Sequence, residues 1–119
     1  MENRSLVYNK SKLFAVKIVR LYQYLSEKRH DYVLSKQILR AGTSIGANIA
    51  EAQSSISRND FKAKLYIALK EASETSFWLE LLYNTDYIRK ELYEDLSHDC
   101  TELLKMHTSI TKTLNEKQQ

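Results

Sequence analysis

The stretch LRAGTSIGANIAEA, residues 39–52, holds both glycines of a 119-residue chain that has no proline. Around them, Ile38, Gly42, Ile45, Ile49, Ala52 and Ile56 recur in alternating steps of four and three, the seam of a helix packed against neighbours. A glycine inside a helix costs about 1 kcal/mol relative to alanine, so two in one helix require an offsetting gain. Gly42, Gly46, Ala50 and Ser54 form one row at spacing four, a helix ridge with almost no side chain on it. A second helix can lie close against such a ridge and gain dispersion contacts. The row reads as a site of close helix packing, within the chain or between copies. A phosphate-cradling glycine loop would need GxGxxG or GxxxxGKS/T after a strand, and neither pattern is present.

Working outward, the flanking segments repeat the helical pattern. Val7, Phe14, Ile18, Leu21 and Leu25 predict a helix over about 5–26, widened by Tyr8, Ala15, Val19 and Tyr22. The glycine-bearing helix spans about 35–54, with Asp31 or Ser35 as its cap. The third, about 58–83, opens on Ser57-Arg-Asn-Asp60, a capping-box pattern, and carries Phe61, Leu65, Ala68, Ala72, Thr75, Leu79 and Leu82 inward. The fourth, about 89–114, turns Leu92, Leu96, Leu103, Ile110 and Leu114 inward, and residues 115–119 read as a frayed end. Helices of this kind joined by short links predict an all-α, up-down-up-down four-helix bundle forming one domain over residues 1–119.

Composition narrows the class. The hydrophobic fraction is 43% and the charged fraction 28%, ordinary for a folded protein. No apolar run approaches the ~18 residues of a membrane span, and the N-terminus lacks a signal-peptide pattern, so no membrane association is expected. A lone Cys100 cannot form an internal disulfide, which fits a reducing cytoplasm.

The charge is uneven. Residues 1–29 carry seven Lys or Arg against two acids, whereas residues 86–102 carry six acids against two bases. Lys10, Lys17 and Arg20 lie on one strip of the first helix, flanked by Tyr8, Tyr22 and Tyr24. This strip is the candidate contact for RNA or DNA, with phosphate drawn to the cations and bases stacked on the rings. The alternative is that the basic first segment pairs with the acidic last one, within a subunit or between subunits. Asn48 and Glu51 share a face beside the glycine ridge. With Arg40 and Glu74 they read as a buried polar network that fixes helix register, the sharper alternative being paired-carboxylate acid–base chemistry. His98 stands one turn from both Glu94 and Glu102, but a metal site needs a fuller set of convergent ligands. Cys100 and His107 are two turns apart, about 10 Å along the axis, too far for a catalytic pair. No catalytic, cofactor-binding or metal-binding residue is assigned, and the chain is not expected to be an enzyme.

The central stretch, with DFKAKLYIALKEASET after a short break, resembles the four-helix-bundle proteins encoded in intervening sequences of bacterial 23S ribosomal RNA genes. The resemblance rests on Arg40, Ser44, Ile45, Asn48, Ile49, Ala50 and Glu51, then Phe61, Leu65 or Tyr66, Ala68 and Glu74, and extends roughly from Leu13 to Leu114. Gly46 stands where that family usually has proline, and Ala52 where it usually has glycine. The resemblance implies a homopentamer, five bundles about one axis. It also implies kinship of fold with accessory proteins of diversity-generating retroelements, which bind nucleic acid and a reverse transcriptase. A nucleic-acid-binding homo-oligomer and a protein-binding scaffold are thus the two functional expectations.

Overall fold

The computed structural model describes the backbone of residues 2–118 and the side chains of residues 6–116. Four helices follow one another, α1 (Glu2–Glu27), α2 (Leu34–Gln53), α3 (Arg58–Asn84) and α4 (Lys90–Gln118). Each packs on its neighbours in chain order, α4 closes on α1, and no contact joins the diagonal pairs among the described residues. The α1–α4 seam is the least extensive of the four. The bundle measures 49 × 22 × 20 Å. α4 runs to Gln118, past the expected frayed end at residues 115–119, of which Gln119 lies outside the described residues.

The core follows the heptad steps. Val7, Phe14, Ile18, Leu21 and Leu25 of α1 are buried, as are Ile38, Ile45, Ile49 and Ala52 of α2. All seven expected positions of α3, from Phe61 to Leu82, are also buried. Three positions differ. Ile56, read as the last residue of the α2 seam, lies beyond the helix end and is 97% exposed. On α4, Leu92 is about a third exposed and Ile110 only partly buried. The inward line there is Leu96, Cys100, Leu103, His107, Thr111 and Leu114, so half of it is not aliphatic. Buried hydroxyls on this scaffold bond to carbonyls of their own helix, Ser11 to Tyr8 at 2.8 Å, Thr75 to Glu71 at 2.7 Å and Thr111 to His107 at 3.0 Å.

The glycines admit α1. A Cβ built on Gly42 would lie 2.7 Å from Ile18 Cγ1, and one on Gly46 would lie 3.3 Å from Ser11 Oγ. Close packing therefore occurs inside the chain, at Gly42 and Gly46. Ala50 is only half-buried, and Ser54 is exposed at the C-cap of α2, so the row ends as a packing ridge before Ser54. No glycine has a positive φ; the left-handed positions that close two of the turns are His30 (φ 53°) and Asp86 (φ 66°). At the end of α3, the Tyr87 N–H donates to Leu82 O at 2.9 Å and the Asp86 N–H to Tyr83 O at 3.1 Å, a Schellman closure around Asp86.

The cap of α3 matches the signal in the sequence, whereas the N-cap position of α2 is Val33, which makes no side-chain capping bond, and Ser35 lies inside the helix. Ser57 Oγ accepts from the Asp60 N–H at 3.0 Å and starts α3. Asp31, two residues before Val33, and Ser35 bond to each other. The Ser35 N–H donates to Asp31 Oδ2 and the Ser35 hydroxyl donates to Asp31 O, each at 2.7 Å.

Candidate nucleic-acid interface

The basic strip of α1 faces the acidic stretch of α4. Lys10 and Lys17, seven residues apart, project from one side of α1. Asp95, Asp99 and Glu102, stepping four and three, project from the facing side of α4. Lys10 Nζ lies 2.9 Å from Glu102 Oε1, and Lys17 Nζ lies 2.7 Å from Asp99 Oδ2 and 3.1 Å from Asp95 Oδ2. The hydrogen bond to Asp99 is the main cause that raises the Lys17 pKa, and the hydrogen bond from Lys10 is the main cause that lowers that of Glu102. Two of the three cations expected to meet phosphate are thus engaged inside the subunit. Of the two arrangements open in the sequence, intrasubunit pairing is the one found, because antiparallel α1 and α4 bring the two stripes into register.

Arg20 differs. It is exposed and forms no ion pair among the described residues. It borders a cleft of about 450 Å³ that opens where α1 and α4 separate. Leu21, Leu92 and Leu96 supply its apolar surface, Tyr24 and Arg89 join Arg20 beside it, and Glu91 and the paired Lys17 and Asp95 complete it. Arg89 precedes α4 by one residue, and sequence reasoning did not single it out. Next to the cleft, Arg29 Nη1 donates to Asp86 O and Tyr87 O, both at 3.0 Å, and its guanidinium lies over the Tyr87 ring at 5.1 Å. Tyr83 and Tyr93 stack with centroids 4.6 Å apart. Of the flanking tyrosines, Tyr8 and Tyr22 are partly buried and Tyr24 is exposed.

The polar set on α2 and α3 divides. Arg40 pairs with Glu71 at 3.3 Å and with Glu74, and the Trp78 indole N–H donates to Glu74 Oε2 at 3.3 Å. Glu51 pairs with Lys64 at 3.1 Å instead, and Asn48 Nδ2 donates to Ser44 O of its own helix at 2.8 Å. The structure therefore joins Arg40 to Glu74 and separates Asn48 and Glu51 from them. It also corrects their burial, since half of the Arg40 side chain and more than half of that of Glu51 meet solvent. These long side chains reach the rim of the α2–α3 contact, where water solvates their charges. Glu71, Trp78 and Lys64 were missed as partners. The three- and four-residue steps 71, 74, 78 were the available signal.

Cys100 and His107 are core residues. The Cys100 thiol donates to Ala72 O at 3.3 Å, and burial pushes its pKa up to about 12. His107 Nδ1 contacts Leu103 O at 2.6 Å, Nε2 has no hydrogen-bond partner, and burial lowers the imidazole pKa. His98 is exposed, and no group of three metal-ligating side chains converges among the described residues. No helix among them is long and apolar enough to cross a membrane.

Four helices, a glycine-mediated α1–α2 contact and an ion-paired α1–α4 seam define an all-α four-helix bundle protein. Residues 3–109 match the model of the 23S rRNA-intervening sequence protein family, and the chain belongs to that family. It is similar in structure to a protein with unknown function of the S23 ribosomal protein family from Bacteroides thetaiotaomicron VPI-5482, solved by crystallography. That likeness has a TM-score of 0.91 and 55% sequence identity, and covers 92% of this chain and 98% of the other. No curated protein matches the sequence.

Proposed function

We propose that this protein is a non-enzymatic homo-oligomer of the cytoplasm that engages nucleic acid at the Arg20–Tyr24–Arg89 end of the α1–α4 seam. The observation that carries the assembly is the outer face of α1, where Leu6, Leu13, Val16 and Val19 are all exposed, Leu13 by 67%. Apolar rows of this extent on a soluble surface mark interaction sites. α3 carries a second exposed set, Tyr66, Ile67 and Phe77. α1 and α3 are diagonal in the bundle, so the two sets point to opposite sides. Two different faces favour a head-to-tail contact, which builds a ring where the rotation between copies closes. Five copies is the ring size that the family resemblance implies.

The nucleic-acid part rests on the cations left free beside Tyr24. Binding to structured RNA and to duplex DNA, measured at low and near-physiological salt, tests it. Affinity that falls with salt is expected, since phosphate contacts release counterions. Absence of binding at low salt would refute this part. An adaptor that docks a protein is the second reading, and the engagement of Lys10 and Lys17 by α4 favours it, because it removes two cations from any phosphate contact.

A further inference from the structure

We propose that the α1–α4 cleft receives an unstacked base of a single-stranded or looped nucleic acid, with the flanking phosphates on Arg20 and Arg89. This rests on the nucleic-acid reading above and narrows it to unpaired bases. The cleft, at about 450 Å³, falls in the size range of small-ligand pockets. Leu92 is the apolar side chain that the cleft exposes, over the buried Leu21 and Leu96, and the exposed Tyr24 ring beside it is a stacking platform. Paired bases in a duplex hide the faces that such a cleft would bury, so a duplex can use only the charges outside.

The charge pattern separates this ligand from others. Arg20 and Arg89 border the cleft without an ion pair, whereas Lys17 is held by Asp95 and Asp99. Glu91, also on the cleft, can accept a hydrogen bond from an exocyclic amino group, as carboxylates accept from the N4 amine of cytosine. An acidic peptide inserted there would instead meet Glu91 and Asp95 as like charges. A wholly apolar ligand would leave both guanidiniums unused.

The test compares a short fluorescein-labelled oligocytidylate with a fully paired RNA duplex, on the intact protein and on Tyr24→Ala and Leu92→Glu. Both side chains are more than a third exposed, and circular dichroism checks that the variants fold. Each substitution is expected to weaken single-strand binding about tenfold or more, the scale of losing one base stack, and to weaken duplex binding by a clearly smaller factor. Unchanged single-strand affinity in both variants would overturn the cleft and leave the nucleic-acid reading standing. No binding of either probe would overturn both. Displacement of the oligocytidylate by polyglutamate as readily as by unlabelled oligocytidylate would overturn the base site in favour of an acidic protein segment.

Discussion

Gly42 and Gly46 look alike in sequence, and their surroundings give them different expected tolerances. A methyl on Gly42 would meet Ile18 Cγ1 and Cγ2 at 2.7 and 2.8 Å, atoms near the backbone of a fully buried side chain. Overpacking of about 1–3 kcal/mol outweighs the helix-propensity gain of about 1 kcal/mol, so Gly42→Ala should lower stability in chemical denaturation. Gly42→Leu should disrupt folding. Ile18→Ala should cost less in the Gly42→Ala background than in the wild type, the non-additivity expected of touching residues. A methyl on Gly46 meets Ser11 Oγ at 3.3 Å, where a small shift suffices, so Gly46→Ala should be tolerated within about 1 kcal/mol. His107 makes a prediction with a defined sign. Its folded pKa is lowered by burial, so the neutral ring is the native form and stability is complete above the unfolded pKa, about 6.5. As pH falls below that value the unfolded chain takes up a proton that the folded chain resists, and stability declines by at most about 1.4 kcal/mol per pH unit. His107→Leu should remove the decline in the mildly acidic range, read as denaturation midpoints across pH.

At the scale of elements, the α1–α4 seam carries as many ion pairs as the α2–α3 contact over a less extensive contact. Lys17 bridges Asp95 and Asp99, and its side chain is 43% exposed. Solvent screening therefore limits its contribution to about 1 kcal/mol or less. Lys17→Ala should destabilise by no more than that, and the difference should shrink at high salt, measured by thermal denaturation. Because the Lys17 pKa is raised, its contribution is present below about pH 10 and is lost as pH rises through the folded pKa. The Lys10–Glu102 pair behaves in the opposite sense. The Glu102 pKa is lowered, so its contribution is present above the ordinary glutamate range and is lost as pH falls through the folded value. The start of α3 is simpler. Ser57→Ala leaves the Asp60 N–H without its acceptor, and a loss of about 0.5–2 kcal/mol is expected on chemical denaturation.

For the whole molecule, the exposed apolar faces of α1 and α3 exceed what this bundle uses internally. Leu13→Glu should dissociate the proposed homo-oligomer without unfolding the bundle, because Leu13 belongs to the outer surface and not to the core. Light scattering coupled to gel filtration reads the mass, and circular dichroism reads the helix content. A variant of unchanged mass would refute α1 as the contact between copies. The folded protein should also keep Cys100 unreactive towards thiol reagents until it unfolds, since a thiol with a pKa of about 12 inside the core presents almost no thiolate.

Local and periodic features were legible without coordinates. The heptad steps gave the four helices and nearly all of their buried faces, because one face of a helix must leave water whatever lies opposite. Ser57 was legible as a cap because its partner lies three residues away. The two glycines signalled a close approach, but only the tertiary structure decided that Ile18 and Ser11 of the same chain fill it. The fate of the basic strip was likewise open. Lys10 and Lys17 reach phosphate or carboxylate equally well, and the antiparallel placement of α4 selects the carboxylates. Arg89 entered the candidate site for the same reason, brought beside Arg20 by a contact almost seventy residues away in sequence. Periodicity fixes which face of each helix turns inward; the order in which the faces meet, and so which charges remain free, belongs to the assembled bundle.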